Sequence, residues 1–163
     1  MAISPDTAQL AHSLDAILVK LLAEVHGSRA TLRLDDPARG WQVAFVCAEA
    51  LSPGVASMRG DGSINQRAAS TAQWIGTNKR NLLQPDLLDN PQPAPPAALL
   101  QAYGAKAQML GPLLDDTGYL AGWISIHYVD GPHALSQLDS AAMDRARAQV
   151  AHLVGLGDQG REA

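Results

Sequence analysis

The chain has 163 residues, of which 47% are hydrophobic and 17% charged, so it is long enough to bury a core and predicts one globular domain. A net charge of -4 without a basic run excludes the electrostatic pattern of a nucleic-acid-binding protein. One cysteine, Cys47, excludes an internal disulfide, and the start lacks a basic segment followed by an apolar run, so we expect a soluble, cytoplasmic protein without membrane association.

The N-terminal segment predicts an amphipathic helix. Ser4 can cap it, Pro5 suits its first position, and apolar residues then recur at three- and four-residue spacing as far as Val25. Gly27 is expected to end the helix. A stripe of this kind is most often core, and part of it can pair with a second copy of the chain.

Two strands are predicted next, joined by a turn at residues 36–40. Ser28 to Asp35 alternates between apolar and polar residues, which is typical of a strand with one face in water. The positions expected on the wet face are Arg29, Thr31, Arg33 and Asp35. Trp41 to Ala48 is apolar on both faces and is therefore predicted to be a central strand.

The middle of the chain predicts short elements. Val55 to Met58 can form a brief strand, and the alanine-rich segment Asn65 to Ile75 favours a helix that Gly76 ends. Leu82 to Gln84 is extended and is followed by a proline, which excludes a central place in a sheet. Ala97 to Tyr103 predicts one more short helix.

A hairpin over Ala105 to Asp130 organises the fold, with its turn at Asp115 to Gly118. Residues of its second strand alternate between two faces. The face expected against helices holds Leu120, Gly122, Ile124, Ile126 and Tyr128. The face expected toward a ligand holds Trp123, Ser125 and His127.

The last helix is predicted over Ser136 to Leu156, where Ser136 and Asp139 resemble a capping box. Residues 157–163 are expected to fray. Hairpins with helices at both ends of the chain predict an α+β fold. We expect a mainly antiparallel sheet with the terminal helices on one face, and with short helices and loops over a cavity on the other.

The order of these elements resembles a GAF domain, a small-molecule-binding module of bacterial sensors. The segments that carry the resemblance are Gln108–Leu114, Gly122–His127, Leu135–Asp139, Ala72–Thr77 and Pro85-Asp86. The resemblance covers about residues 8–156. It implies a free-standing, single GAF-like (profilin-like) domain over residues 1–163, with five or six strands.

The resemblance leaves the ligand open but weakens some subfamilies. Asn78-Lys79 starts like the cyclic-nucleotide signature, yet the rest of that signature is absent. Cys47 lies among apolar residues rather than at the usual bilin-attachment place, and one thiol cannot close the disulfide of the sulfoxide-reducing members. No cofactor and no metal are expected.

The resulting hypothesis is a sensor or regulatory domain that binds a small organic molecule, with aromatic compounds and carboxylates as candidates. The expected pocket residues are Trp74, Asp86, Tyr103, Met109, Trp123, Ser125 and His127. Five of them also have a plainer interpretation: Trp74 and Trp123 as core, Asp86 and Tyr103 as residues without a ligand, and His127 as a packed or exposed residue. Output would pass through a homodimer formed by the terminal helices or through a partner protein.

Two other classes stay open. His127 with Ser125 or Asp86 could supply acid and base groups in an enzyme or an accessory subunit of a catabolic pathway. The sequence offers no catalytic residues at a recognisable spacing, so an enzyme is the less favoured hypothesis. A scaffold without a pocket is the third.

Overall fold

The computed structural model describes residues 5–159. The described residues form four helices, five strands and two short 3-10 helices, which lie in the connecting segments. In chain order the regular elements are α1 (Pro5–Val25), β1 (Arg29–Leu34), β2 (Ala48–Leu51), α2 (Ser70–Asn78), β3 (Leu82–Gln84), α3 (Ala97–Gln101), β4 (Ala107–Leu114), β5 (Leu120–Tyr128) and α4 (Gln137–Val154). The 3-10 helices span Pro37–Arg39 and Gln66–Ala68.

The strands form one antiparallel sheet of five, in the order β2-β1-β5-β4-β3. β4 and β5 are the predicted hairpin. Its turn forms because the Asp115 carboxylate accepts hydrogen bonds from the backbone N–H of Thr117 (2.9 Å) and Tyr119 (3.0 Å). Gly118 takes the left-handed conformation that the turn needs, with φ 86°. The predicted α+β class and antiparallel sheet are confirmed.

The terminal helices α1 and α4 cover one face of the sheet. Ile124, Ile126 and Tyr128 point from β5 into this layer and belong to the main apolar core. The Tyr128 hydroxyl donates to the carbonyl of Val25 at 2.8 Å, which fastens the end of α1 to the central strand. At α4, Ser136 and Asp139 form the predicted capping box.

The other face of the sheet carries α2, α3 and irregular segments. Leu120 belongs to this face, with Ala72, Ile75 and Trp123, and not to the helix layer as predicted. The reason is a register shift between Leu113 and Leu114, which reverses the side-chain alternation at the start of β5.

The predicted central strand Trp41–Ala48 is wrong. Residues 41–47 are irregular, and β2 starts at Ala48 and lies at the sheet edge. Side chains replace ladder bonds here: the Val43 N–H donates to Asp35 Oδ1 (2.9 Å), and the Val43 and Ala44 carbonyls accept from Arg33 Nη1. The apolar run reflects burial of Val43 and Val46 rather than strand structure.

The predicted wet face of β1 is also wrong, since all residues of β1 are buried. Residues 41–47 and the loop after β2 cover Arg29, Thr31 and Arg33. The carbonyl groups of these segments accept hydrogen bonds from the arginines, which is how cationic side chains are accommodated away from water.

Several smaller boundaries differ from expectation. α2 continues through Gly76 to Asn78 and is capped by Lys79, which takes φ 57°, and residues 55–58 form no strand. The left-handed residue after α1 is His26 and not Gly27. The Gln159 side chain bonds to the backbone N–H and carbonyl of Leu114, so residue 159 is not frayed. The predicted Ser4 cap and residues 160–163 lie outside the described residues.

Candidate ligand cavity

A small cavity lies between the sheet and the segments that cover its second face. Its volume is about 30 Å³, room for roughly two water molecules. The polar side chains on its wall belong to Thr31, Arg33, Gln66, Thr71, Gln108, Ser125 and His127. Met58 and Ile64 close it from the irregular segment of residues 52–64, which we call the roof loop.

Strand pairing aligns the polar side chains in rows across the sheet. His127 on β5 lies between Arg29 on β1 and Gln108 on β4. Ser125, two residues earlier, lies opposite Thr31. Directly paired residues on one face of an antiparallel sheet have neighbouring side chains, so hydroxyl, imidazole and guanidinium groups converge on the cavity.

Arg29 is fully buried, and each of its nitrogen atoms donates to a neutral acceptor. Nε donates to His127 Nδ1 (2.9 Å), Nη1 to the Ala56 carbonyl (2.9 Å) and Nη2 to the Tyr103 carbonyl (3.3 Å). Arg29 therefore links the central strand, the roof loop and the segment before β4.

Arg33 has only 3% of its surface exposed, and its side chain lines the cavity. Its Nη1 donates to the carbonyls of Val43 (3.0 Å) and Ala44 (2.9 Å). Nε and Nη2 make no hydrogen bond to any of residues 5–159. The guanidinium group is thus held along one edge and free along the other.

No carboxylate among residues 5–159 lies within 4.0 Å of a nitrogen of Arg29 or Arg33. Glu49 and Asp61 act on them only from a greater distance. Burial lowers the pKa of both guanidinium groups, which still stay charged at neutral pH. The wall of the cavity is therefore electropositive.

The Arg29 bond sets the tautomer of His127. Because Nδ1 accepts a hydrogen bond from Arg29, the proton of the neutral ring is on Nε2. Burial, together with the charges of Arg29 and Arg33, holds the pKa of His127 well below its usual value. Nε2–H is consequently a neutral donor at the cavity.

Gln108 supplies the opposite wall. Its Nε2 donates to Gln84 Oε1 (2.7 Å), and Gln84 Nε2 donates to the Pro93 carbonyl (2.7 Å). Because the Pro93 carbonyl can only accept, both amides are oriented by this chain. Gln108 Oε1 is left as an acceptor on the cavity side of β4.

Glu49 holds the roof loop in place. Its buried carboxylate accepts hydrogen bonds from the Ser57 hydroxyl and from the Met58 N–H (2.8 Å). Farther along the loop, the Asp61 carboxylate accepts from the Tyr103 hydroxyl. These contacts close the cavity on the side of the roof loop, and residues of α2 and α3 cover the rest of it.

The predicted pocket residues divide into three that line the cavity and four that do not. Trp123, Ser125 and His127 line it. Tyr103 lies beside it, with its ring centroid 5.3 Å from Arg29 Cζ. Trp74 is half-buried next to Arg80, and exposed Asp86 accepts from the N–H of Leu88.

Met109 requires a correction because it points to the other side of the sheet. It is paired with Ile126 and packs in the core beneath the terminal helices. The alternation of β4 places Gln108 and Leu110 on the cavity side instead.

Arg29, Arg33 and Gln108 were missed as site residues. The signal was present in β1, whose two arginines alternate with apolar residues, but the same pattern is typical of a solvated face. Gln108 is a polar residue within an otherwise apolar strand. Only the covering segments distinguish a polar wall of a cavity from a wet surface.

A larger groove lies between the end of α2 and α4, with a volume of about 1110 Å³. It is open, and three cationic side chains on its wall alternate with four carboxylates, so it favours no single charge. The described residues contain no group of three His, Cys, Asp or Glu side chains that could hold a metal ion. None of their helices has the length and apolar character needed to cross a membrane.

Solved structures of the same fold match almost the whole chain. The cyanobacteriochrome receptor PixJ aligns with a TM-score of 0.71 at 14% identity, over 91% of this chain and 97% of that one. The PixJ GAF domain of Thermosynechococcus elongatus aligns with a TM-score of 0.68 at 14% identity, over 94% and 92%. A far-red absorbing dark state with bound biliverdin IXa aligns with a TM-score of 0.65 at 10% identity, over 91% and 97%.

No family model matches the sequence, and no curated protein matches it. At these identities the structural likeness establishes the fold and leaves the ligand open. The arrangement of sheet, terminal helices and covering segments is that of the matched domains, and the chain has the fold of a GAF domain.

Proposed function

We propose that this protein is a cytoplasmic sensor or regulatory domain that binds a small molecule in the cavity between the sheet and the roof loop. The observation that carries the proposal is the set of polar groups around the cavity without protein partners: Arg33 Nε and Nη2, His127 Nε2–H, and the Thr31 and Ser125 hydroxyls. These atoms border the space of the cavity, and polar groups of a binding pocket normally have hydrogen-bond partners, so a bound molecule would be a fitting partner for them.

A bilin is not the ligand we propose, although one matched structure holds biliverdin. Ordinary ligand pockets measure about 300–1,000 Å³. The cavity here is about 30 Å³, and Cys47 is not part of its wall. A ligand much smaller than a tetrapyrrole suits this space.

The response to ligand binding would begin with a change in the roof loop. A ligand that contacts Arg33 and His127 also alters the neighbourhood of Arg29, which binds the loop through the Ala56 carbonyl. We propose that the response reaches a partner protein or a second copy of the chain through the terminal helices, where Val19 is 58% exposed. Equilibrium sedimentation tests the dimer, and a strict monomer at high concentration would contradict it.

The enzyme hypothesis receives less support from the geometry. His127 accepts a hydrogen bond from a cation at Nδ1, whereas a catalytic imidazole is usually oriented by a carboxylate. Asp86, its suggested partner, is exposed and not on the cavity wall. Ser125 lies nearby but has no base to activate it among residues 5–159.

The proposal is tested by native mass spectrometry of freshly purified protein and by a thermal-shift screen of small acids, amides, alcohols and larger aromatic acids. We expect one stoichiometric ligand or at least one compound that raises the melting temperature. Conversion of the bound compound into a product would favour the enzyme, and no binding across the screen would favour a scaffold without a ligand.

A further inference from the structure

We infer that the ligand is a small planar oxyanion, a carboxylate or an inorganic ion of the same shape, held by the free edge of Arg33. This inference rests on the proposed function and names the chemical class for its cavity. It starts from charge: the buried Arg29 and Arg33 have no carboxylate within 4.0 Å among residues 5–159. A buried charge without a counter-charge is costly, and an anion would lower that cost.

The free atoms of Arg33 suit a planar anion. Nη1 is occupied by the Val43 and Ala44 carbonyls, which leaves Nε and Nη2. These two nitrogens share one edge of the guanidinium plane, and their N–H bonds point in parallel. That edge binds two oxygens of a carboxylate side-on, as arginine does in bidentate recognition.

Neutral hydrogen-bond donors complete the proposed anion-binding site. Thr31 and Ser125 are directly paired across β1 and β5, and their hydroxyls border the cavity. His127 presents Nε2–H because Arg29 occupies Nδ1. Arg29 is therefore a positioning residue: it holds the imidazole in the tautomer that donates toward an anion.

The nearby acids do not compete for the Arg33 edge. Asp61 accepts hydrogen bonds from the Ser63 hydroxyl (2.6 Å) and from Tyr103, and Glu49 from Ser57 and Met58. Both carboxylates are committed to the roof loop. Among the residues described, the positive charge facing the cavity is left for a ligand.

Volume limits the size of the anion. A cavity of about 30 Å³ holds roughly two water molecules, which in the liquid together take about 60 Å³, and this volume suits a ligand of about three to five non-hydrogen atoms. Formate, acetate, glycolate and nitrate lie in this range. On the β4 wall Gln108 Oε1 offers one acceptor, which favours glycolate, with its hydroxyl donor, over acetate.

The experiment compares glycolate with glycolamide, its neutral amide of nearly the same shape, by calorimetry and thermal shift at matched ionic strength. We expect glycolate to bind and glycolamide to bind at least about tenfold more weakly, since hydrogen bonds to a charged group are the stronger ones. Nitrate is measured in parallel, and its relative affinity separates an inorganic ion from a carboxylate.

Arg33→Gln should reduce glycolate affinity by about tenfold or more, and Ser125→Ala by a few-fold, because each removes a proposed contact. Arg145→Gln is the matched control: Arg145 is an exposed arginine of α4 that pairs with Glu24 at 3.0 Å, and its substitution should leave affinity unchanged. Circular dichroism checks folding first. If Arg33→Gln does not fold, the glycolate affinity of Ser125→Ala alone tests the inference.

Equal affinity for glycolate and glycolamide, or glycolate binding that is unchanged in Ser125→Ala and Arg33→Gln, would overturn the anion inference. The proposed function would survive that result if another compound of the broad screen binds and Ser125→Ala weakens its binding, because the cavity would then hold a ligand of a different class. Failure of every compound in the broad screen, with no ligand in the purified protein, would overturn both.

Discussion

The burial of His127 beside Arg29 and Arg33 links the stability of the protein to pH. In the folded protein the pKa of His127 is held well below its ordinary value by burial and by the charges of Arg29 and Arg33. In the unfolded chain it titrates near its ordinary value of about 6.5. Below that pH the unfolded state binds more protons, so stability is fully present above about pH 6.5 and is lost as the pH falls.

The free energy of unfolding should therefore fall between pH 6.5 and pH 5, by up to about 1.4 kcal/mol per pH unit for this one group. His127→Asn should flatten this dependence, because asparagine can accept from Arg29 without titrating. Urea titrations at several pH values measure the slope, with His12→Asn, an exposed histidine of α1, as the control. A slope that is identical in His127→Asn and wild type would contradict the prediction.

Cys47 provides a second test at the level of one residue. Burial raises the pKa of Cys47 to about 12. Because the thiolate is the reactive form, iodoacetamide should modify the folded protein about 10³-fold more slowly at pH 7.5 than it modifies a free thiol of pKa about 8.5. The same reaction in denaturant gives the reference rate, and rapid modification of the native protein would refute an inert role.

Among the elements, the β1–β5 pair depends on one glycine. A Cβ atom on Gly122 would lie 2.0 Å from the Arg33 carbonyl oxygen and 2.9 Å from Leu34 Cα. Because both are backbone atoms, a side chain requires the strands to separate. The same stretch positions Arg33 beside Trp123, so the cavity depends on this close approach.

Gly122→Ala should lower the free energy of unfolding by about 3 kcal/mol, at the upper end of the usual cost of overpacking. Gly131→Ala is the matched control, since a Cβ there meets nothing within 4 Å, and it should change stability by less than about 0.5 kcal/mol. Chemical denaturation measures both. Similar values for the two variants would show that the sheet adapts to the added methyl group.

The roof loop depends on Glu49, whose carboxylate holds Ser57 and Met58. Glu49→Ala should release the loop at a cost of about 1–3 kcal/mol, because buried donors lose their acceptor. Trypsin should then cleave faster after Arg59. Glu24→Ala removes an exposed carboxylate of α1 and should leave this cleavage rate unchanged, whereas equal rates in both variants would place the loop's anchor elsewhere.

At the scale of the whole molecule, the two faces of the sheet have different roles. The helix side is one large apolar core, whereas the cavity side combines two smaller apolar clusters, under α2 and α3, with a roof loop held by hydrogen bonds. We expect a bound ligand to slow hydrogen exchange in residues 52–64, and to leave exchange in α1 and α4 largely unchanged. Protection spread evenly over the chain would instead indicate general stabilisation.

The extent of the domain, the pocket contacts of Trp123, Ser125 and His127, and the homodimer stay predictions. The placement of Trp123, Ser125 and His127 on one face of β5, the face that borders the candidate cavity, could be derived from sequence because strand alternation is local. The predictions for Met109 and Leu120 were wrong. Met109 lies on the helix side and Leu120 on the cavity side, because strand pairing and a register shift, which local alternation does not contain, decide these positions.

Three features of this protein depend only on neighbours along the chain and follow from local sequence: the amphipathic helix α1, the capping box of α4, and the hairpin turn at Asp115 to Gly118. These features rest on side-chain to backbone bonds and on helical or strand periodicity, which short segments contain. The burial of Arg29 and Arg33 is a tertiary property, because it depends on distant segments, residues 41–47 and the roof loop, that cover β1.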